Sequence, residues 1–247
     1  SEGHEVTVLD DFSLGTEKNL AAATKEIRIV KGDIRDKPLL LKLSKNADFI
    51  LNEAAASASP MFRERLRECM EINISGFINV LEAARENNVR RVIYASTSSV
   101  YANNPPPLRE DMKVTPPNFY SVAKLANEHT ALLFGQEYDL ETVGFRYMSI
   151  YGPKEESKGK FANLVSQFFW AIKRGEQPVI YGDGTQSRDF TYVKDVVKAN
   201  MLAMKSKKTL VGEVLNVGSG KSDSLNALVS KINMLLGKSV KPKYVRN

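Results

Sequence analysis

Short apolar runs alternate along the first part of the chain with longer stretches in which apolar residues recur at helical spacing. Five of these runs, each four to six residues long, predict strands at residues 5–9, 27–30, 48–51, 91–95 and 141–146. Brief, β-branched or aromatic runs are typical of buried parallel strands. Helices are predicted between them at residues 37–43, 74–87 and 121–138. The alternation predicts an α/β fold with a doubly wound, mostly parallel sheet and right-handed crossovers.

The helix predicted at residues 121–138 has the most regular spacing of the three. Three- and four-residue steps connect Val122, Leu125, Ala126, His129, Leu132 and Leu133. Positions at this spacing share one face of a helix. We therefore expect this face to be buried.

The pattern changes after Pro153. A charged segment at 154–160 is followed by predicted helices at 161–174, 193–204 and 224–236 and by predicted strands at 178–181 and 214–217, with a glycine turn at 182–184. We expect residues 1–150 to form one domain, to which residues 190–217 return. Residues 151–189 and 218–247 are then expected to form a smaller, interleaved α/β lobe.

Composition excludes several classes of protein. The 247 residues include one cysteine, Cys69, and two histidines, which excludes an internal disulfide framework and a multi-histidine or multi-cysteine metal site. We therefore expect no metal. No apolar run approaches the roughly 20 residues of a membrane span. The polar opening Ser1-Glu2-Gly3-His4 shows no signal peptide, and a reducing, cytoplasmic setting is expected.

The net charge of +6 and the pI of 9.2 are compatible with an anionic partner. The basic residues are spread along the chain, with mild concentrations at 154–160, 205–208 and 238–246. A nucleic-acid-binding protein would more often show a concentrated basic stripe with interleaved aromatic residues. Solvated surface lysines are the favoured interpretation, and small anionic ligands such as nucleotides are the alternative.

Tyr120 and Lys124 are the strongest chemical signal. Residues four apart on a helix project from the same face. An ammonium close to a phenol stabilises the phenolate, which would lower the pKa of Tyr120 and suit it to acid/base work on a hydroxyl or carbonyl substrate. The spacing alone also arises by chance, as a pair facing solvent.

Two further features strengthen this signal. The hydroxyl-rich segment Ser-Thr-Ser-Ser at 96–99 directly follows a predicted buried strand, and ligands bind at the carboxyl ends of strands in a doubly wound sheet. Taken alone, these hydroxyls would be interpreted as loop caps. Asp10 closes the first predicted strand, where a carboxylate can accept both ribose hydroxyls of an adenosine and repel a 2′-phosphate.

With these residues the chain resembles the extended short-chain dehydrogenase/reductase family, in its nucleotide-sugar epimerase/dehydratase branch. The resemblance covers essentially the whole chain. It is carried by LDDFSLG at 9–15, GDIRD at 32–36, NISGFINVLEAA at 73–84, the hydroxyl segment with Tyr101, YSVAK at 120–124, RYMSIYGP at 146–153, YGDGTQSRDF at 181–190 and NVGSG at 216–220. It implies a Rossmann-type NAD-binding domain with a substrate-binding lobe.

The resemblance also implies roles for individual residues. Tyr120 would be the catalytic acid/base, Lys124 its support and a ligand of the nicotinamide ribose, and Thr97 the hydroxyl partner. The residues implied for NAD are these two together with Asp10, Asp11, Phe12, Asp33, Ile34, Ala54, Ala55 and Tyr147. The residues implied for the substrate are Thr97, Ser149, Asn163, Tyr181 and Arg188. A guanidinium such as that of Arg188 is well matched to a diphosphate.

The chain departs from the family pattern in several places. The usual His-x-Ala-Ala after the third strand reads Asn-Glu-Ala-Ala at 52–55, and Ser149 stands where the family has a substrate asparagine. The family's first strand and its glycine-rich turn have no counterpart here, nor has a later segment with a second substrate arginine. We therefore expect a fragment of a longer chain, with a gap in the sheet between the strand ending at Asp10 and the strand at 48–51.

Ser98 and Ser99 distinguish between reactions within the branch. The 4,6-dehydratases carry Asp-Glu at these two positions and the decarboxylases keep the glutamate, and serine cannot replace carboxylates in that chemistry. C4 epimerisation by oxidation and re-reduction is therefore expected, with UDP-glucose and UDP-galactose as the leading substrates. The alternatives are another nucleotide-sugar epimerase, a net NAD-dependent oxidoreductase, and a non-catalytic NAD- or RNA-binding relative. The resemblance also implies a homodimer, through the helices at 74–87 and 121–138.

Overall fold

A computed structural model describes residues 3–246. The chain divides into two compact units, and each is described by itself. The first unit consists of the chain up to Arg146 together with Lys198–Asn216. The second unit consists of Tyr147–Val197 and the chain from Val217 onward.

Parallel strands form the centre of the first unit. The strands of the protein are β1 (Val6–Asp10), β2 (Ile27–Lys31), β3 (Phe49–Asn52), β4 (Arg91–Ala95), β5 (Glu141–Tyr147), β6 (Ser149–Tyr151), β7 (Val179–Tyr181), β8 (Ser187–Arg188), β9 (Phe190–Tyr192), β10 (Glu213–Val217), β11 (Asp223–Ser224) and β12 (Lys243–Val245). In the first unit β3, β4 and β5 pair in parallel, with β10 beside β5, and β1 pairs in parallel with β2. The predicted α/β class and parallel sheet are confirmed.

The ladder is interrupted between β1 and β3. Within residues 3–246, β1 pairs only with β2, and β3 pairs only with β4. The gap expected from the sequence between these two strands is present. Leu51 in β3 is 42% exposed, although it lies in an otherwise apolar strand.

Helices form at each predicted position, with small shifts at their ends, and two further helices lie at 59–64 and 66–70, where the sequence predicts none. They are α1 (Lys37–Leu43), α2 (Ser59–Glu64), α3 (Leu66–Met70), α4 (Phe77–Glu86), α5 (Phe119–Tyr138), α6 (Leu164–Arg174), α7 (Val193–Lys205) and α8 (Leu225–Leu236). A π-helical turn, Glu71–Gly76, leads into α4. Gly76 is required there, because a Cβ atom would lie 2.7 Å from the Ile34 side chain. No helix in the described part of the chain has both the length and the apolar character that a membrane crossing needs.

The core of the first unit lies between α4 and the sheet. Phe77, Val80, Leu81 and Ala84 of α4 are at most 1% exposed and form one cluster that also contains Val92 and Tyr94 of β4. The Tyr94 ring lies over Gly144, its partner in the β4–β5 register, where a Cβ atom would come within 2.6 Å of the ring. This glycine therefore makes room for an aromatic side chain.

The buried face of α5 is not the one that the apolar spacing predicts. Val122 and Leu133 are 41% and 52% exposed, and His129 is exposed as well. The fully buried positions are polar or small: Ser121, Ala123, Lys124, Asn127, Glu128, Ala131 and Gly135. The prediction was wrong because the polar side chains of this helix find hydrogen-bond partners at the strand ends, and their burial leaves the aliphatic stripe outside.

The second unit is built from short strands and two helices. β6 pairs in parallel with β9, β7 pairs in parallel with β12, and β8 pairs antiparallel with β11. The core of this unit joins Phe168 and Ile172 of α6 to Leu228 and Ile232 of α8. Gly184 has a φ of +78°, and a Cβ atom there would collide with the Asn226 side chain. The glycine turn predicted at 182–184 is thus held tightly against the start of α8.

Candidate active site and its relatives

The N-terminal turn of α5 presents Tyr120. Asn118 and Ser121 form a capping box, in which the Asn118 side chain accepts a hydrogen bond from the Ser121 backbone N–H at 3.0 Å. This cap starts the helix directly before Tyr120, so that the phenol emerges from its first turn. The Phe62 ring of α2 packs edge-on against the Tyr120 ring at a centroid distance of 5.8 Å. Helix capping and one aromatic contact therefore fix the orientation of the phenol.

The three residues predicted for catalysis come together at the carboxyl end of β4. Tyr120 forms a hydrogen bond with the Thr97 hydroxyl. Lys124 is 2% exposed, and its ammonium donates to the carbonyl oxygen of Ala95 at 2.8 Å. Thr97 also accepts a hydrogen bond from the Ser99 N–H at 3.2 Å, which caps the short 3₁₀ helix Ser98–Tyr101. The strand end thus contacts two successive turns of α5.

The electrostatics of this pair differ from the expectation. Burial raises the pKa of Tyr120 above its ordinary value, the hydrogen bond from Thr97 opposes the shift, and the Glu53 carboxylate adds to it. Burial also lowers the pKa of Lys124 to about 8, against a smaller opposing effect of Glu53. The predicted lowering of the phenol pKa was therefore wrong, because loss of hydration has the largest effect on Tyr120 and raises its pKa.

Carboxylates shape the turn that follows β1. Asp10 accepts a hydrogen bond from the Phe12 N–H at 2.7 Å, and Asp11 accepts from the N–H and the hydroxyl of Ser13 at 2.8 and 2.7 Å. Phe12 itself has a φ of 57°, in the left-handed region. The second carboxylate oxygen of Asp10 is directed towards Gly15, where a Cβ atom would lie 3.7 Å away. The turn therefore holds the Asp10 carboxylate at the carboxyl end of β1.

The segment after β2 is fixed from two sides. Arg35 forms a forked ion pair with Asp33, with its shortest contact at 2.6 Å, and this hydrogen-bonded pairing lowers the pKa of Asp33. Asn79 of α4 donates to the carbonyl oxygens of Ile34 and Arg35 at 3.2 and 3.1 Å. The Ile34 side chain is 7% exposed and belongs to the α4 core.

The loop after β3 is held by Asn73. The side-chain amide of Asn73 pairs with both backbone groups of Ala56, accepting from its N–H at 2.8 Å and donating to its carbonyl at 3.2 Å. Ala54 is exposed and Ala55 is half-buried, and both directly precede this anchored residue. The two alanines predicted to line the cofactor are therefore on a rigid backbone.

The remaining predicted site residues belong to the second unit. Tyr147, at its start, is 8% exposed, and Ser149 opens β6. Asn163 caps α6 by accepting from the Val165 N–H at 2.9 Å. The helix predicted at 161–174 therefore begins only after this asparagine.

Tyr181 and Arg188 lie near the glycine turn of the same unit. Tyr181 ends β7 and is 61% exposed. Arg188 is exposed, and its guanidinium donates to the Ser187 carbonyl at 2.7 Å. The adjacent Asp189 accepts from the N–H groups of Ser219 and Gly220, both at 2.9 Å. The Asp189 carboxylate next to Arg188 thus accepts hydrogen bonds from a backbone turn.

The comparisons with known proteins agree with this geometry. The model of the NAD dependent epimerase/dehydratase family matches residues 1–218. The chain belongs to this family. A UDP-N-acetyl-alpha-D-glucosaminuronate decarboxylase of Bacillus cytotoxicus is 33% identical over 98% of this chain and 76% of its own length.

Two solved structures of family members are also similar. The UDP-glucose 4-epimerase of Thermotoga maritima, solved with UDP-glucose, superposes with a TM-score of 0.92 at 29% identity, over 99% of this chain and 79% of that one. The UDP-N-acetylglucosamine 4-epimerase of Methanobrevibacter ruminantium, solved with UDP-N-acetylmuramic acid, gives a TM-score of 0.92 at 34% identity, over 98% and 78%. The cofactor of the family is NAD, and the chain is a nucleotide-sugar epimerase family enzyme.

The donor and acceptor groups of the first unit fit this cofactor. Asp10 would provide a carboxylate at the end of β1 for ribose hydroxyls, and Lys124 and Tyr120 would provide an ammonium and a phenol for a second ribose. The anchored loop after β3, with the exposed Ala54 and the half-buried Ala55, would offer the cofactor a non-polar surface, whereas the α4 core covers most of the Ile34 side chain. Among residues 3–246 no group of three or more His, Cys, Asp or Glu side chains could hold a metal ion.

The sequence did not predict a role for several residues around this family site. Glu128 and Arg146 form a buried ion pair beside the strand ends, and Ser96 joins it. Glu128 follows Lys124 by one further helical step, so its spacing was a usable signal. The anchoring role of Asn73 carries no signal beyond its place in a family motif.

Proposed function

We propose that the protein epimerises a UDP-hexose at C4, with UDP-glucose and UDP-galactose as the preferred pair. The observation that carries the proposal is the contact of Thr97 and Tyr120 at the end of β4, next to Lys124, with serines at 98 and 99. This set can move a hydroxyl proton, but positions 98 and 99 carry no carboxylate to eliminate water or assist decarboxylation.

In the proposed mechanism Tyr120 takes the proton of the C4 hydroxyl and later returns it. NAD, when bound, supplies the hydride acceptor and then the hydride donor. Thr97 holds the phenol through its hydroxyl, and Lys124 braces the strand end through Ala95. Burial raises the pKa of Tyr120, and we expect the positive charge of bound NAD⁺ to lower it.

We assign the nucleotide part of the substrate to the second unit. Arg188 is proposed to bind the diphosphate, Tyr181 the base, and Asn163 the region near the diphosphate. The exposure of the Arg188 and Tyr181 side chains supports this assignment, because both are accessible to a ligand. Ser149 and Tyr147 are proposed to approach the sugar and the nicotinamide.

A panel of UDP-sugars tests the proposed function. Purified full-length protein is incubated with each sugar without added NAD, and the C4 epimer is measured by chromatography. Formation of UDP-galactose from UDP-glucose, or of the corresponding uronate or N-acetyl epimer, is expected. Stoichiometric consumption of added NAD would instead indicate a net oxidoreductase, and binding of NAD or RNA without any turnover would indicate a non-catalytic relative.

Tyr120→Phe is the control for this assay. The variant keeps the ring that packs on Phe62 but loses the hydroxyl, so we expect an unchanged fold and NAD binding and a fall in turnover of about 10²- to 10⁴-fold. Turnover above a tenth of that of the unchanged protein would remove Tyr120 from the mechanism.

We further propose a cytoplasmic homodimer. The exposed aliphatic stripe on α5, which includes Val122 and Leu133, supports a second copy as its occupant, since the sequence predicts pairing through this helix. The single cysteine, Cys69, is buried and free, in keeping with a reducing compartment.

A further inference from the structure

A buried ion pair closes the carboxyl ends of β4 and β5 against α5. Glu128 and Arg146 are 5% and 6% exposed. Their side chains form a fork, with Nε of Arg146 donating to Oε1 of Glu128 at 3.0 Å and its terminal nitrogen donating to Oε2 at 2.7 Å. Burial disfavours the charge on Arg146, but its hydrogen bonds with Glu128 and Tyr101 outweigh that cost and raise the pKa of the guanidinium. The guanidinium of Arg146 therefore stays charged in this buried position.

The pair is joined to the strand that carries Thr97. The hydroxyl of Ser96 donates to Oε1 of Glu128, the same oxygen that accepts from Arg146. The backbone N–H of Ser96 donates to the Phe145 carbonyl at 2.8 Å, which continues the β4–β5 ladder. Ser96 is 2% exposed, so its side chain has little freedom to choose another partner.

Three consecutive residues at the end of β4 thus contact three successive turns of α5. The Thr97 hydroxyl meets Tyr120, the Ala95 carbonyl accepts from Lys124, and the Ser96 hydroxyl donates to Glu128. The three helix residues are each four apart and share one face. A shift of the strand end relative to the helix would therefore disturb the first two contacts together.

Arg146 extends this set to the other side of the site. It donates to the Tyr101 hydroxyl at 2.9 Å and lies 4.9 Å from the centre of that ring. Tyr101 in turn donates to Asn216 at the end of β10 at 2.8 Å. The ends of three neighbouring strands are thereby connected to α5 through one guanidinium.

We propose that Glu128, held by Arg146 and acting through Ser96, is a positioning residue for the reaction: it sets the Ala95–Thr97 backbone against α5 so that Thr97 and Lys124 keep their places beside Tyr120. This inference rests on the proposed function for the identity of the reaction. The placement of the Ala95–Thr97 backbone against α5 does not depend on the proposed function, because it can be measured without turnover.

A second ion pair on the same two strands provides a matched control. Arg91 and Glu141 open β4 and β5 at their amino ends, away from the residues named above, and Arg91 is fully buried. Nε of Arg91 donates to Glu141 at 2.6 Å. Glu141→Gln therefore weakens an ion pair between a partly buried glutamate and a buried arginine of the same sheet without touching the strand ends at the site.

The test compares Ser96→Ala, Glu128→Gln and Glu141→Gln. Ser96→Ala keeps the ion pair and every charge, so it remains informative even if Glu128→Gln folds poorly. The readouts are kcat and KM for the UDP-sugar, the Tm, and the NMR resonance of ¹³Cζ-labelled Tyr120, assigned by its disappearance in Tyr120→Phe. Thr97 and Glu53 act on this phenol, and Lys124, which Glu53 also affects, lies one turn further along α5; all three residues remain in each variant.

We expect Ser96→Ala to lower kcat about tenfold, within the range typical of residues that orient a catalytic group, with KM changed less than twofold. The Tyr120 resonance should move, and its pH midpoint should rise as the Thr97 hydrogen bond weakens. Glu128→Gln should change kcat and the Tyr120 resonance at least as much. Glu141→Gln should lower the Tm and leave kcat and the resonance unchanged.

Two results would overturn the proposal. One is a Tyr120 resonance and a kcat per folded molecule that stay unchanged in Ser96→Ala and Glu128→Gln while the Tm falls as in Glu141→Gln. The other is an equal movement of the resonance in all three variants. If the unchanged protein epimerises none of the UDP-sugars but the Tyr120 resonance moves in Ser96→Ala and not in Glu141→Gln, the proposed function fails and the placement stands.

Discussion

Lys124→Met should make the cofactor-free protein more stable at pH 7 and catalytically impaired. Methionine has about the length and volume of the lysine side chain and carries no charge. Lys124 is 2% exposed, and burial lowers the pKa of its ammonium from 10.5 to about 8. The folded protein therefore keeps this group charged at pH 7 at a cost in free energy of unfolding.

The magnitude follows from that pKa. The difference between 10.5 and about 8, at about 1.4 kcal/mol for each pH unit, corresponds to about 3 kcal/mol. Loss of the hydrogen bond to the Ala95 carbonyl offsets about 1 kcal/mol of it. The variant should thus be more stable by about 2 kcal/mol at pH 7, which raises the Tm by several degrees in a protein of this size.

The pH dependence gives the sharper test. Between pH 8 and 10.5 the unfolded chain keeps the proton on Lys124 that the folded chain has released, so the free energy of unfolding of the unchanged protein rises with pH relative to that of the variant. Below pH 8 both states hold the proton and the advantage of the variant is constant. The advantage should therefore shrink steadily from pH 8 to 9.5.

Urea denaturation of both proteins at pH 7, 8, 9 and 9.5 measures this difference. Lys198→Met, at an exposed position of α7, serves as the matched control and should change the stability little at any of these pH values. An unchanged protein that is more stable than Lys124→Met at pH 7, or a difference that does not vary with pH, would refute the reasoning.

Three further predictions concern binding and assembly. Asp10→Ser should narrow the preference for NAD over NADP, because a carboxylate next to a 2′-phosphate is a like-charge contact; equal affinity of the unchanged protein for both cofactors by calorimetry would contradict the assignment. Arg188→Ala should weaken UDP binding by about 1.5–3 kcal/mol, or about ten- to a hundredfold, and leave NAD binding unchanged; unaltered UDP affinity would show that Arg188 acts only within its own unit. Leu133→Lys should convert a dimer to a monomer in sedimentation experiments, whereas a monomeric unchanged protein would show that the α5 stripe has another role.

Much of the first unit could be predicted because local pattern and tertiary structure agree there. The strand at 91–95 has the predicted bounds because it is a short apolar run. The helix at 37–43 has the predicted bounds because Asp36 marks its start clearly. α5 begins two residues before the prediction because Asn118 and Ser121 form the capping box. That signal is present in the sequence.

The buried face of α5 and the pKa of Tyr120 could not be predicted in the same way. The orientation of the helix depends on partners from β4 and β5 that are distant in sequence, such as Ala95 and Arg146. The pKa depends on how much water surrounds the phenol, and residue spacing carries no information on that. The sequence contains the charges of a site, whereas the fold determines their hydration.

The packing of Tyr94 over Gly144 has a consequence for how this chain can vary. A side chain at 144 is excluded only while the ring at 94 occupies the space within 2.6 Å of it. A smaller residue at 94 would leave a cavity that the side chain of alanine or serine at 144 could fill. Either substitution made alone would lower the stability of the protein. These two positions, 50 residues apart in the chain, are therefore expected to evolve as a coupled pair, with each substitution compensated at the other site rather than tolerated independently.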